Sequence, residues 1–229
     1  MTMHKAGTLL SLILTGAISV TLTGCEYSES ATLQQSDETS NSGPLTIQKM
    51  GGEIDVQDAP RGTTLTTMGG DIHLGNVASF AKVKTMGGNI AIDHAKGSVN
   101  ATTMGGKIDI AQASGSVEAT TMAGNITARM VGSSSARRDI SLSSNAGTIL
   151  LTVPKDFPMD VRVTLAYTKN DDKAYRIIES LGLSQHTTEE WDNSHGTPRK
   201  YIYAEGRVGS GMNHVEIKTI NGDVILRRE

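Results

Sequence analysis

The side chains with most chemistry to offer are a carboxylate trio and a histidine close together in sequence: Glu53, Asp55, Asp71 and His73. Paired carboxylates beside a basic partner are the equipment of glycan cleavage, one donating a proton to the leaving oxygen while the other works on the opposite face. A second set is a row of thioethers. Met50, Met68, Met86, Met104 and Met122 each follow the first residue of the phrases KMGGEI, TMGGDI, TMGGNI, TMGGKI and TMAGNI. Soft thioethers select copper(I) over harder cations. The remaining histidines His94, His186, His195 and His214 lack zinc-ligand spacing, and His186 with His195 is a weak pair at best. No nucleophile elbow or phosphate-cradling loop is present.

What must position these groups is a repeat. The phrases open at residues 49, 67, 85, 103 and 121, a period of 18 without insertion. Counting from the opening residue, position 6 is Ile54, Ile72, Ile90, Ile108 and Ile126, and position 8 is Val56, Leu74, Ile92, Ile110 and Ala128. Positions 15 and 17 carry pairs such as Ala81 with Val83 and Val99 with Ala101. Apolar residues separated by one polar residue read as half-buried strands, two per repeat. Two strands cannot bury a face alone, so repeats stack and like pairs with like about 4.8 Å apart. The fold class is all-β: a single-stranded parallel β-solenoid with 18-residue coils and a short helical insert. A hexapeptide helix is excluded because Lys96 and Ser114 stand six beyond Ile90 and Ile108; a nonapeptide roll is excluded because the glycine pair does not recur after nine.

This frame assigns the chemistry-bearing residues. Glu53, Asp55, Asp71 and His73 occupy outward positions 5 and 7 near one end, a solvated face without the arginine that β-helix glycan enzymes use. Inward parity switches from odd to even positions within each coil. The expectation is a corner that turns both Thr and Met inside, with the glycine pair supplying special backbone angles and the methionines forming a hidden ladder. Later phrases SNAGTI and TINGDV put Asn145 and Ile220 in the methionine slot, which argues for packing and against copper. Outward Thr66, Thr102 and Thr120 form one row broken by Lys84, too little for an ice-binding face. A spacing of 23 between Thr121 and Ser144 places an extra loop around GSSSARR.

The chain divides into a lipoprotein signal peptide (1–24), an acidic disordered tether (25–44) and the solenoid (45–229). Met1 to Lys5 is positive, and the apolar run Leu9 to Val20 is shorter than the ~20 residues that span a bilayer. It ends in LTGC, which resembles the bacterial lipobox and implies lipidation of Cys25, the only cysteine; the chain therefore has no internal disulfide. With Glu26 after that cysteine, the same resemblance implies a cell-envelope protein anchored to the membrane through Cys25, in the outer membrane. Glu26 to Gly43 holds four acidic residues and no basic one, a coil of roughly 23 Å. A net charge of −3 with no basic stripe and only eight aromatic residues excludes a nucleic-acid partner.

Residues 166–200 break the rhythm and form an insert or cap. NDDKAYRIIESLG reads as a short helix, capped by Asn170 or Asp171, ended by Gly182, with Tyr175, Ile178 and Leu181 on one face. A solenoid end left bare would pair with another chain, so a cap is expected. The aromatic-rich EEWDNSHGTPRKYIY is the alternative, a recognition patch of Trp191, Tyr201 and Tyr203.

The Thr-apolar-x-Gly-acidic/amide-Ile/Val phrases, closing in TINGDVILRR, resemble the bacterial adhesin-type domain family, β-solenoids of largely unknown function. The resemblance covers most of residues 45–229; methionine stands where the family has an aliphatic residue, and the helix-like insert is a second departure. It implies exported or membrane-attached proteins, some akin to envelope-stress components, and transfers no catalytic residue, metal or cofactor. The expected function is non-catalytic: a rigid surface that binds a protein, glycan or envelope component. The alternative is a glycan-active β-helix lyase or hydrolase.

Overall fold

The computed structural model describes residues 43–132, 137–171, 173–194 and 196–229. The signal peptide, almost all of the tether, Cys25 and His195 lie outside them.

Paired strands follow the repeat. The first five coils contribute β1 (Thr46–Lys49), β2 (Ile54–Ala59), β3 (Thr63–Thr67), β4 (Ile72–Val77), β5 (Phe80–Lys84), β6 (Ile90–Ala95), β7 (Ser98–Thr103), β8 (Ile108–Ala113), β9 (Val117–Thr121) and β10 (Ile126–Met130). Then come β11 (Asp139–Ser144), β12 (Ile149–Val153), β13 (Met159–Thr168), β14 (Ile177–Glu179), β15 (Ser184–Thr187), β16 (Arg199–Val208), β17 (Asn213–Ile220) and β18 (Val224–Arg228). Odd-numbered strands through β13 join β15, β16 and β17 in a ten-stranded sheet, and the others form an eight-stranded sheet. Ile54 pairs with Ile72, Ile72 with Ile90 and Ile90 with Ile108, so like side chains lie over one another as the period requires. All four are at most 1% exposed. Each such side chain contributes about 1.5–3 kcal/mol by leaving water. The β-solenoid expected from the 18-residue period is the fold.

Two expectations, the short helix and the inward methionines, need correction, and the strand order adds a feature the period does not convey. The coil order is not sequential at the C-terminal end. β17 lies between β11 and β13, parallel to both, and β18 lies between β12 and β14. The chain therefore skips a slot after β12, builds the next coil, and returns to fill the gap with TINGDV. Beyond β13 the ten-stranded sheet continues with β16 and β15, both antiparallel.

The short helix is absent: the described residues of 170–182 hold turns and β14. Ile177 and Ile178 are β-branched and sit in register with Val224 and Ile225. Asp223 accepts the Arg176 N–H, and the Glu179 carboxylate accepts the N–H groups of Leu181, Gly182 and Leu183. Pairing with the last coil outweighs helix propensity. Tyr175 and Leu181 still pack against the core, together with Tyr167, Leu183 and Ile202, while Ile178 faces solvent.

The methionine ladder is outside. Met68, Met86, Met104 and Met122 are 39–49% exposed and Met50 is 79% exposed. Alternation simply continues past the buried threonine, so Met and the first glycine both lie outside and parity switches at the second glycine. The reason is space. A Cβ on Gly70, Gly88 or Gly106 would stand 1.9–2.0 Å from the carbonyl oxygen of the equivalent glycine one coil back. A corner this tight has no interior volume for a thioether. Among these three and Gly52, only Gly52 has a positive φ, 83°, so close approach rather than backbone angle is what demands glycine.

Candidate functional site

The corners explain the opening residue of each phrase. The hydroxyls of Thr85, Thr103 and Thr121 each donate at 2.9 Å to the carbonyl of Gly70, Gly88 and Gly106, one coil back. Thr85 and Thr103 also accept the N–H of the second glycine in their own phrase. Ser144 and Thr219 repeat the first bond in the degenerate phrases. Position 5 has its own ladder: Asp71 accepts the Asn89 N–H, Asn89 the Lys107 N–H, and Asn125 the Thr148 N–H. The acidic and amide residues after each glycine pair therefore join one coil to the next.

The carboxylate trio is consequently dispersed. Asp71 serves this ladder, and the Glu53 backbone carbonyl accepts from Lys49 while its side chain remains apart from His73. Only Asp55 meets His73, at 3.0 Å from Nδ1; Asp93 completes the cluster at 3.1 Å from Nε2. Gln57 in turn donates to Asp55. Partial burial by itself would lower the His73 pKa, but the hydrogen bonds and charges of Asp55 and Asp93 outweigh it and raise the value. The ring is held between two carboxylates, one at each nitrogen. The outward pairs at positions 5 and 7 do not reveal Asp93, which stands at position 9 of its coil with the same parity.

The aromatic patch separates onto two faces. Tyr201 and Tyr203 alternate with Lys200 and Ile202 along β16, on the side away from the core. Their rings stack with centroids 5.9 Å apart, and His186 from β15 stacks on Tyr203 at 4.9 Å. The Tyr201 hydroxyl donates to Asp192 at 3.1 Å, and burial together with that bond raises its pKa. Trp191 instead meets Tyr167 edge-on at 5.8 Å, with the Lys200 ammonium 5.2 Å from its ring centre. It packs beside Tyr167, and His186, which is exposed, takes its place in the half-buried tyrosine stack. The sequence offers His186 only as a weak zinc partner of His195 and not as part of a ring stack, because its pairing with Tyr203 depends on a long hairpin.

The outer face of the ten-stranded sheet is otherwise polar. Thr66, Lys84, Thr102 and Thr120 align in the interrupted row that the spacing implied. Beside it runs a shallow groove of roughly 260 Å³, bordered by Phe80, Asn100, Glu118, Asp139, His214 and Glu216.

The family model described as Toastrack DUF4097 matches residues 13–227, nearly the whole chain. The chain belongs to the Toastrack DUF4097 family. This Toastrack match agrees with the stacked parallel sheets and carries a fold whose function is unknown. No curated protein and no solved structure matches the Toastrack chain significantly. No group of three or more histidine, cysteine, aspartate or glutamate side chains suited to a metal ion occurs among its described residues, and no helix among them is long and apolar enough to cross a membrane.

Proposed function

We propose that this Toastrack chain is a lipid-anchored, non-catalytic envelope protein whose solenoid carries a binding surface away from the membrane. The observation that supports this reading is where the aromatic stack sits. The ten-stranded sheet starts at β1, next to the tether, and finishes at β16 and β15. Nine strand spacings of about 4.8 Å separate these ends by roughly 43 Å. A lipid on Cys25 would hold one end of the rod near the membrane and present His186, Tyr203 and Tyr201 at the other. Tyrosine rings give large contact area at low entropic cost, and their faces suit sugar rings or apolar side chains of an envelope component. The LTGC motif and Glu26 favour the outer membrane.

The test uses the full chain in lipid vesicles, with isolated envelope glycan and purified envelope proteins as probes. Tyr201→Ala with Tyr203→Ala should weaken retention at least tenfold; retention unchanged by the double variant would overturn the reading. The Asp55–His73–Asp93 cluster favours one alternative, a glycan-active enzyme. Release of new reducing ends from the glycan by the wild type, lost in His73→Ala, would replace binding with catalysis.

A further inference from the structure

Among the described residues, five of the seven exposed large apolar side chains are the repeat methionines; Phe80 and Ile178 are the others. The fold does not require methionine in that slot. Asn145 occupies it in one coil, exposed, and Ile220 in another, half-buried. Simple copying of the repeat is also a poor explanation, because the other outward slots have diverged. Position 5 reads Glu53, Asp71, Asn89, Lys107 and Asn125; position 7 reads Asp55, His73, Ala91, Asp109 and Thr127. Position 2 alone among these stays methionine through five coils, although water contact there costs apolar burial. That combination points to a use for the sulfur.

We propose that this corner is a soft-metal site, in which thioethers of adjacent coils coordinate a monovalent coinage-metal cation, copper(I) or silver(I). The Met86 carbonyl accepts the Gly105 N–H at 3.1 Å and the Met104 carbonyl accepts the Ala123 N–H at 3.0 Å, so the corners stack in register. Neighbouring methionines are then about 4.8 Å apart along the stack. Two metal–sulfur bonds of about 2.3 Å, the zinc–sulfur length carried over to copper(I), span about 4.6 Å end to end. A linear two-coordinate ion therefore fits between successive rungs without moving the backbone, and three rotatable bonds per side chain absorb the remainder. Thioethers are soft and neutral, which favours copper(I) over zinc or magnesium. They also carry no proton to displace, so affinity is insensitive to pH where histidine or carboxylate sites weaken in acid. The site is independent of the binding surface proposed above.

The experiment titrates the full chain carrying Cys25→Ser, so that no thiol competes with the thioethers, with silver nitrate in chloride-free buffer, and with copper(I) kept reduced under anaerobic conditions, at pH 7.5 and pH 5.5. With the repeat methionines intact, this chain should bind each ion equally at the two pH values, with only sulfur neighbours in the metal's X-ray absorption spectrum. The decisive variant is Met68→Leu with Met104→Leu. It keeps three thioethers at Met50, Met86 and Met122 but separates them by about 9.6 Å, leaving no adjacent pair. Affinity should fall at least tenfold, while circular dichroism stays unchanged because the substituted side chains are exposed. Retained affinity in this variant, a drop of tenfold or more on acidification, or nitrogen and oxygen ligands in the spectrum would each overturn the proposal.

Discussion

At the residue scale, the structure turns on polar side chains that look decorative in the sequence. Thr103 is 1% exposed and satisfies two backbone groups, the Gly88 carbonyl and the Gly106 N–H. Thr103→Val keeps the shape and strands both partners, at a cost of about 1–3 kcal/mol; urea denaturation should show it, whereas a change below 0.5 kcal/mol would mean that the hydroxyl is dispensable. The burial of threonine at position 1 was legible from its place in the alternation. The outward methionine was not, because the corner's width depends on how closely two glycine backbones approach, and side-chain periodicity does not report that. His73 gives the second residue-scale expectation. Its folded pKa is raised by Asp55 and Asp93, so the fold binds this proton more tightly than the unfolded chain, whose value is near 6.5. The stabilisation is fully present below that value and lost as pH rises through the folded pKa. The advantage of wild type over His73→Gln in thermal melts should therefore be larger at pH 6 than at pH 8; an advantage that grows with pH would contradict the clamp.

At the scale of the element, the turn between the two strands of each coil sets what substitutions a coil accepts, and adjacent glycines behave oppositely. A Cβ on Gly105 would find its nearest neighbour, the Gly87 oxygen, at 3.7 Å, an ordinary contact. On Gly106 it would stand 1.9 Å from the Gly88 oxygen, a backbone atom that cannot swing away. Gly105→Ala should change stability by no more than about 1 kcal/mol, and Gly106→Ala should cost more than about 4 kcal/mol or prevent folding. Equal effects in chemical denaturation would show that the corners are looser than the stacked carbonyls imply. Strand identity and register were legible here because a period of 18 with two apolar pairs admits one stacking. The stretch from 170 to 182 was misread for a related reason. Its apolar residues satisfy a helical spacing, but its partner strand β18 lies almost fifty residues later, so the pairing of Ile177 with Val224 was invisible locally.

For the whole molecule, the late coil decides how the rod holds together. In a simple solenoid each repeat touches only its neighbours, and stability is close to a sum of local terms. Here β17 and β18 are wedged between β11–β12 and β13–β14, so Val215 lies between Ile140 and Val161, and Ile217 between Leu142 and Val163. The strands β13 and β14 thus pair with the earlier coils through β17 and β18, and two deletions of equal length should have unequal consequences. Removing residues 103–120 joins Thr102 to Thr121 in register. Ser98 then replaces Ser116 beside the Asp139 N–H, and Ala95 replaces Ala113 opposite Met130 and beneath the Val131 N–H. This shortened chain should unfold cooperatively with only a modest loss of melting temperature. Removing residues 212–229 leaves the facing apolar rows of β11 and β13 without the strand between them, and Ile177 without Val224. That chain should lose its cooperative transition and expose apolar surface to a hydrophobic dye. If the C-terminal truncation melted as sharply as the internal deletion, the cap would be held by contacts other than the intercalated coil.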